Sequence, residues 1–262
     1  MEDRLQWIRL KPGSWIDWEP VRGGLQAHAL VARRYPEASC LVAAEQTQQA
    51  QRLLAALAGP WWRRLRTVPV RYGTTNGAQA QMLWANMALH LSADPQALIG
   101  RWHEGLAQDG FLMFSCLGPD SLRELRALYR ALDWPPPGHD FTDMHDWGDM
   151  LVHAGFAEPV MDMERITLTY ESAGALLADL RQLGANFHPQ RFPALRGRAW
   201  RRRLEGEMVR SLSGPDGRLA LTFEIIYGHA LKPAPRVRVS EQSAISLRDM
   251  RALLGTDKPQ RR

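Results

Sequence analysis

The chain has 262 residues, of which 45% are apolar, and a formal net charge of +5 at pH 7. This length suits one large α/β domain with a sizeable core, and no apolar run approaches the roughly 20 residues of a membrane span. The N-terminus MEDRLQWIRL has no apolar h-region, so we expect that it is not a signal peptide. Cys40 and Cys116 are too few for a disulfide framework or a cysteine zinc site, so we expect reduced thiols in a cytoplasmic protein.

Strand-like and helix-like stretches alternate over the first 133 residues. Strands are predicted at SWIDW, SCLVAAE, TVPVRY, residues 82–84 and FLMFSCL. Helices are predicted at LQAHALVARRY and QTQQAQRLLAALA, and a further helix over ADPQALIGRWHEGLAQDG is predicted to end at Gly110. Such alternation predicts a parallel sheet with helices on both faces.

The second half begins with a predicted amphipathic helix, SLRELRALYRAL, capped by Asp120 or Ser121. A breaker-rich loop, WPPPGHDFTD, separates it from a helix, MHDWGDMLVHAGF, whose predicted stop is Gly155. Next come a strand at PVMDMERITLTY, a helix at SAGALLADLRQLGA, an arginine-rich helix and a long strand at LALTFEIIYGHAL. We expect a basic, loose tail from 233 to 262 after a domain over 1–232.

The stretch WIDWEPVRGG, residues 15–24, has the position of a nucleotide-binding loop. Asp17 and Glu45 stand at the ends of the first two predicted strands, and Gly23 fits the last glycine of such a loop. In these units glycines let the backbone approach the cofactor, and the acidic residue after the second strand bonds the ribose hydroxyls. The pattern leaves three interpretations open: a cofactor site, a cofactor site that has been lost, or an ordinary turn.

A longer segment carries a more specific resemblance. MLWANMALHLSADPQALIGRWHEGLAQDGFLMFSCLGPDSLRELRALY contains W-A-N-M-A-L-H at 84–90 and S-L-R-E-L at 121–125, and LRQLGAN and GRLALTFEIIYGHAL follow. These segments resemble the malonyl-acyl-carrier-protein O-methyltransferases of biotin synthesis, over roughly residues 14–232. The resemblance implies a class I methyltransferase fold. This is a Rossmann-like three-layer α/β sandwich, whose mainly parallel sheet has an antiparallel strand near its edge. It also implies a helical substrate insertion at about 165–213.

The chain departs from this family in its cofactor-binding half. The family loop is D-x-G-x-G-x-G, whereas here Glu19 and Val21 stand at the first two glycine positions. RYGTTNGAQAQ, after the third strand, lacks the family's adenine-binding carboxylate, and Asn76 is the substitute we expect. Only 16 residues precede Asp17, which is short of the N-terminal segment that closes over the site in the family.

The resemblance implies methyl transfer from S-adenosyl-L-methionine to the free carboxylate of a malonyl thioester on acyl carrier protein. A carboxylate is already nucleophilic at neutral pH, so we assign no general base and expect catalysis by positioning and partial desolvation. The candidate cofactor contacts are Asp17, Gly23, Glu45 and Asn86. The candidate substrate contacts are Arg123, Arg181, Arg198 and Arg202.

Two questions of function stay open in the sequence. The arginine-rich segment at 196–210 suits an acidic carrier protein, a solvated surface or a nucleic acid, of which nucleic acid ranks last because only charge favours it. The altered loop also favours an alternative: a pseudoenzyme of the same fold that binds no cofactor and acts as a binding or regulatory partner. We predict no metal site, because the spacing of His139, His145 and His153 does not suit one.

Overall fold

Seven strands form one sheet in the computed structural model, which describes residues 1–57, 70–184 and 186–234. The strands are β1 (Ser14–Trp18), β2 (Ser39–Ala43), β3 (Val70–Tyr72), β4 (Ala80–Ala85), β5 (Leu106–Leu117), β6 (Ala157–Tyr170) and β7 (Leu219–Leu231). Their order is β3-β2-β1-β4-β5-β7-β6. The first five strands are parallel and β7 runs antiparallel to both β5 and β6. The predicted sheet, with its antiparallel strand near the edge, is thereby confirmed.

Helices connect the strands in the described part of the chain. They are α1 (Pro20–Gly23), α2 (Leu25–Arg34), α3 (Thr47–Leu57), α4 (Pro95–Gly105), α5 (Arg123–Ala131), α6 (Met144–His153), α7 (Ala173–Gln182) and α8 (Arg198–Leu212). Two short 3-10 helices, Glu2–Trp7 and Leu89–Leu91, are also present. None of the described helices is long and apolar enough to cross a membrane.

The central strands are buried on both faces, because successive side chains of a strand point to opposite sides of the sheet. Ile16 and Leu83 belong to a core cluster with Trp102, on the face covered by α4 and α6. Their neighbours Trp15 and Met82 belong to a second cluster, with residues of α2 and α3 on the opposite face. The result is the expected three layers of helix, sheet and helix.

The helical insertion lies between β6 and β7. β6 continues to Tyr170 and the first helix of the insertion, α7, begins at Ala173, whereas the sequence predicted the insertion from about 165. A third apolar cluster joins α7, α8, α5 and β7 through Leu176, Met208, Leu125 and Phe223. The insertion is therefore packed onto the end of the sheet where β5 leads into α5.

Two local predictions are wrong and one is confirmed. α4 ends at Gly105, not Gly110, because Leu106 already pairs with β4 as the first residue of β5. Neither Asp120 nor Ser121 caps α5: its N-cap position holds Leu122, in a left-handed conformation (φ 60°) without a side-chain cap bond. Gly155 does end α6, at φ +97°, and the Phe156 N–H donates to the Leu151 carbonyl. The predictions for the tail from 235 onward lie outside the described residues.

Candidate functional site

Asp17 lies at the carboxyl end of β1 and is buried under α2. Its carboxylate is 2.7 Å from Nδ1 of His28, which is also buried. Burial raises the pKa of Asp17, and the His28 contact opposes that rise. The pair braces α2 against β1, so the Asp17 side chain is already engaged inside the protein.

Glu19 lies in the turn between β1 and α1 and has a left-handed backbone conformation (φ 52°, ψ 52°). The resembled family has glycine at this position. The Glu19 N–H donates to the Ala43 carbonyl at 2.8 Å. Its carboxylate accepts the N–H of Glu45 at 2.6 Å, and burial raises its pKa. Glu19 thus links the carboxyl ends of β1 and β2.

Glu45 follows β2 and points toward solvent. Its Oε2 is 3.0 Å from a guanidinium nitrogen of Arg22, and the two side chains are 71% and 50% exposed. Exposed ion pairs of this kind contribute on the order of 1 kcal/mol or less. The carboxylate is therefore accessible at the strand end where a ribose is bound in nucleotide-binding units.

Gly23 and Asn86 hold the loop after β1, residues 19–24 and here called the first loop, against the end of β4. A Cβ at Gly23 would lie 2.5 Å from the Asn86 carbonyl oxygen, so only glycine allows this approach. The Asn86 side-chain amide donates to the Gly23 carbonyl, and its Oδ1 accepts from the Ser115 hydroxyl at 2.6 Å. The structure therefore brings all four predicted cofactor residues to one edge of the sheet, where Asp17 and Asn86 already bind other protein groups.

A cavity of about 110 Å³ lies over the carboxyl ends of β4 and β5, and its lining does not include the loop at residues 17–24. In open α/β sheets, ligands bind in the crevice outside the carboxyl ends of the strands. The walls come from the segment after β4, from α5, from the loop before α6 and from α7. Its lining is mainly apolar, with Leu117, Leu125 and Leu180, and includes the side chains of His90 and Arg126.

Arg126 was missed by the sequence analysis, although a signal was present. Leu122, Leu125 and Tyr129 follow the spacing of one buried helix face, and Arg126 stands in the same stripe. The predicted substrate residues Arg123 and Arg181 are both exposed, and neither lines the cavity. Arg123 makes ion pairs with Asp120 and Glu124 instead.

The S-L-R-E-L segment fastens α5 to β7. The Ser121 hydroxyl donates to the Glu224 carbonyl and accepts the Glu224 N–H, both at 3.0 Å. The Glu124 carboxylate accepts the N–H and the hydroxyl of Thr222 at 3.0 and 2.5 Å. A Cβ at Gly118 would lie 2.6 Å from Glu224 Oε2. The segment therefore fixes where α5, and with it Arg126, lies over the cavity.

His90 is a neutral group in the cavity wall. Its Nδ1 accepts the N–H of Leu117 at 3.4 Å. Burial, with a smaller effect of the His139 charge, lowers its pKa to about 4. A proton on His90 is therefore unfavourable in the folded protein at neutral pH.

We expect this histidine to make stability fall as the pH drops below 7. The unfolded chain protonates His90 near the ordinary pKa of about 6.5, whereas the folded chain does so only near pH 4. Between these values the unfolded state binds more protons, so the free energy of unfolding rises with pH, by about 2 kcal/mol between pH 5 and neutrality. His90→Asn, measured by urea unfolding at pH 5 and 7.5, should remove most of this difference. His153→Asn, at an exposed position, should leave it, and an unchanged pH dependence in His90→Asn would contradict the assignment.

An arginine-rich face on α8 lies beside α5. Arg198 and Arg202 are exposed, one helical turn apart, and make no ion pair with a carboxylate in the described ranges. Arg201 pairs with Glu205 at 2.8 Å, and the Arg196 guanidinium lies 4.0 Å from the centre of the Trp200 ring. Arg198 and Arg202 therefore present positive charge to solvent, beside an arginine, Arg196, that packs on the Trp200 ring.

Comparison with known proteins finds close relatives of this chain in one class of enzyme. It is 40% identical over 259 residues to the malonyl-[acyl-carrier protein] O-methyltransferase of Gallionella capsiferriformans, covering 90% of this chain and 83% of that protein. The proteins of the same name from Laribacter hongkongensis and Nitrosospira multiformis are each 38% identical, and in both cases 91% of this chain and 82% of the relative are covered. No protein-family model matches the chain.

Two solved structures have a similar overall fold. The YcgJ protein of Bacillus subtilis has a TM-score of 0.57 at 11% identity, covering 88% of this chain and 97% of that one. A protein of Bacillus halodurans described as a candidate methyltransferase has a TM-score of 0.57 at 14% identity, covering 89% and 99%. These likenesses confirm the predicted class I methyltransferase fold.

Proposed function

The chain belongs to the malonyl-[acyl-carrier protein] O-methyltransferase family, and we propose that it methylates the free carboxylate of a malonyl thioester carried by acyl carrier protein. The observation that carries the proposal is the cavity over the ends of β4 and β5. It lies at the carboxyl end of the sheet, the end at which a nucleotide cofactor also binds in this fold. We infer that a short acyl group binds in this cavity, at the same end of the sheet as the methyl donor.

The residues at the edge of the sheet fit the ribose part of S-adenosylmethionine. Glu45 presents an exposed carboxylate after β2, and freeing it requires only the movement of the exposed Arg22 side chain. Gly23 gives the loop its close approach to β4. The cofactor supplies an electrophilic methyl group on a sulfonium when it is bound. Glu19 fills part of the loop that glycine leaves open in the family, and its half-buried carboxylate adds negative charge near that position.

The chain's own contribution to the chemistry is positioning and desolvation. The cavity walls are mainly apolar, so a carboxylate placed there loses part of the hydration that stabilises it in water. A partly dehydrated carboxylate held in line with a methyl donor reacts without a general base.

The arginine-rich face of α8 supports an acidic carrier protein as the partner. Arg198 and Arg202 are exposed, and in the described part of the chain no carboxylate neutralises them. Positive side chains at such a face speed the encounter with an acidic protein and bind phosphate oxygens through charged hydrogen bonds. We therefore assign to this face the docking of the carrier protein and the phosphate of its phosphopantetheine arm.

The two cysteines support a reducing compartment. Cys40 and Cys116 are unpaired and buried, and burial raises the pKa of both thiols. Neither thiol is activated for oxidation or metal binding by this environment. We propose that the protein acts in the cytoplasm.

Glu45→Ala is expected to weaken S-adenosylmethionine binding at least 10-fold, because the ribose loses its carboxylate partner. Calorimetric titration with S-adenosylmethionine and S-adenosylhomocysteine measures this directly. Glu37→Ala is the matched control, since Glu37 is an exposed glutamate at the opposite end of the same strand. Its affinity should equal that of the unmodified chain.

Methyl transfer to acyl carrier protein loaded with malonyl is then measured with labelled S-adenosylmethionine. Micromolar cofactor binding with methyl ester formation supports the proposed reaction. Failure of a well-folded sample to bind millimolar cofactor would contradict it and would favour the alternative of a cofactor-independent binding partner.

A further inference from the structure

Among the described residues that line the cavity, Arg126 carries the positive charge. Its Nη1 donates to the Pro119 carbonyl at 2.7 Å, and its guanidinium carbon lies 5.2 Å from the centre of the Phe141 ring. Its Nη2 is buried and has no hydrogen-bond partner among the described residues. One donor of a charged group is thus left unused at the edge of a cavity.

The surroundings of Arg126 do not neutralise its charge by direct contact. Asp120 and Asp140 act on it electrostatically, but in the described ranges neither makes an ion pair with it. Burial lowers the pKa of the guanidinium, which shows that the site disfavours the charge. Buried polar groups in native proteins nearly always have a partner, a protein group or an ordered water, so the unpaired Nη2 of a residue in the cavity wall is a candidate contact for a ligand.

The shape of the site selects the kind of ligand. A volume of about 110 Å³ holds a short group of a few heavy atoms, on the order of four water molecules. The walls are mainly apolar and the unused donor belongs to a guanidinium, whose preferred partner is a carboxylate or phosphate oxygen. A small acyl chain that ends in a carboxylate meets both conditions.

We propose that Arg126 recognises the free carboxylate of the substrate, an inference that rests on the proposed function and assigns one of its residues. Because Nη1 is committed to Pro119, Nη2 holds one carboxylate oxygen and leaves the other oxygen free to attack the methyl group. The methylated product is neutral and loses this contact. Arg126 therefore favours the acid over its own methyl ester, which promotes release of the product.

The test compares two ligands that differ in this charge: carrier protein loaded with malonyl and carrier protein loaded with malonyl methyl ester. Their affinities are measured by fluorescence anisotropy, without any methyl donor. We expect the unmodified chain to bind the acid at least 10-fold more tightly than the ester, and Arg126→Gln to bind the two equally. Arg130→Gln is the matched control, since Arg130 is an exposed arginine one turn further along α5.

The results for these variants decide whether the inference holds. Loss of the acid preference in Arg126→Gln alone, with its melting temperature unchanged, supports the inference; partial preference in Arg126→Lys supports a role of the charge. An acid preference that survives in Arg126→Gln, or that is missing in the unmodified chain, overturns it. Because the assay needs no methyl donor, it is independent of the test of methyl transfer. A chain that fails to bind the donor but shows an Arg126-dependent preference would contradict the reaction and keep the carboxylate site.

Discussion

Gly228→Ala is expected to lower the free energy of unfolding by about 3 kcal/mol. Gly228 lies in β7 directly opposite Phe114 of β5. A Cβ added at Gly228 would be 2.1 Å from Cε1 and 2.3 Å from Cζ of that ring. Phe114 is fully buried and packs near Trp102, so the ring has no free space into which it could rotate. The β5–β7 pairing would have to separate locally to admit the methyl group.

Gly206→Ala is the control for this substitution. Gly206 is exposed within α8, and a Cβ there would meet nothing within 4 Å. Alanine in a helix interior is favoured over glycine by about 1 kcal/mol, so this variant should be more stable than the unmodified chain. Urea unfolding measures the free energy of unfolding of both variants. A value for Gly228→Ala within 1 kcal/mol of that of the unmodified chain would show that the sheet accommodates the side chain.

The predictions from sequence succeeded where side-chain periodicity and strand burial determine the structure. FLMFSCL and SWIDW were recognised because both are mainly apolar segments of the kind buried on both faces of a parallel sheet. The start of β5 was misplaced because LAQDG resembles the end of a helix by its residues. Its strand conformation depends on pairing with β4, which no local pattern shows.

The cap of α5 is a second case in which a contact between distant segments, and not a local residue pattern, determines the structure. Ser121 is a common residue at a helix N-cap, and local preference predicts that its hydroxyl binds the first turn. In the structure this hydroxyl binds both backbone groups of Glu224, more than 100 residues away in the sequence. A contact between distant parts of the chain satisfies the hydroxyl, so the helix begins at a left-handed Leu122 without a side-chain cap.

The candidate site could be located from the sequence, but its present contacts could not. The ends of β1, β2 and β4 place Asp17, Glu45 and Asn86 at one edge, as strand order requires. The pairing of Arg22 with Glu45 and the bonds from Asn86 depend on side-chain geometry across three strands. For the same reason the sequence indicated Arg123 by its charge, whereas the structure places Arg126 in the cavity wall.

Gly23→Ala should destabilise the fold by about 3 kcal/mol and also disturb the cofactor loop. The added Cβ would lie 2.5 Å from the backbone oxygen of Asn86 and 3.3 Å from its Cβ. A backbone atom of a central strand end cannot move aside as a flexible side chain can, so the loop must lift away from β4. The bond from the Asn86 amide to the Gly23 carbonyl would then be lost.

The loop variant separates two roles of this glycine. If the close approach serves the cofactor as well as the fold, Gly23→Ala should bind S-adenosylmethionine at least 10-fold more weakly, measured by calorimetry at a temperature where the variant is fully folded. Gly100 lies in the middle of α4, and a Cβ added there would have nothing within 4 Å. Gly100→Ala should therefore lower neither the free energy of unfolding nor the affinity for S-adenosylmethionine. Lost stability with unchanged cofactor affinity would mean that Gly23 serves only the packing of the loop on β4. Since the loop already lacks the first two glycines of the family pattern, that result would place the whole cofactor contact on Glu45 and the strand ends.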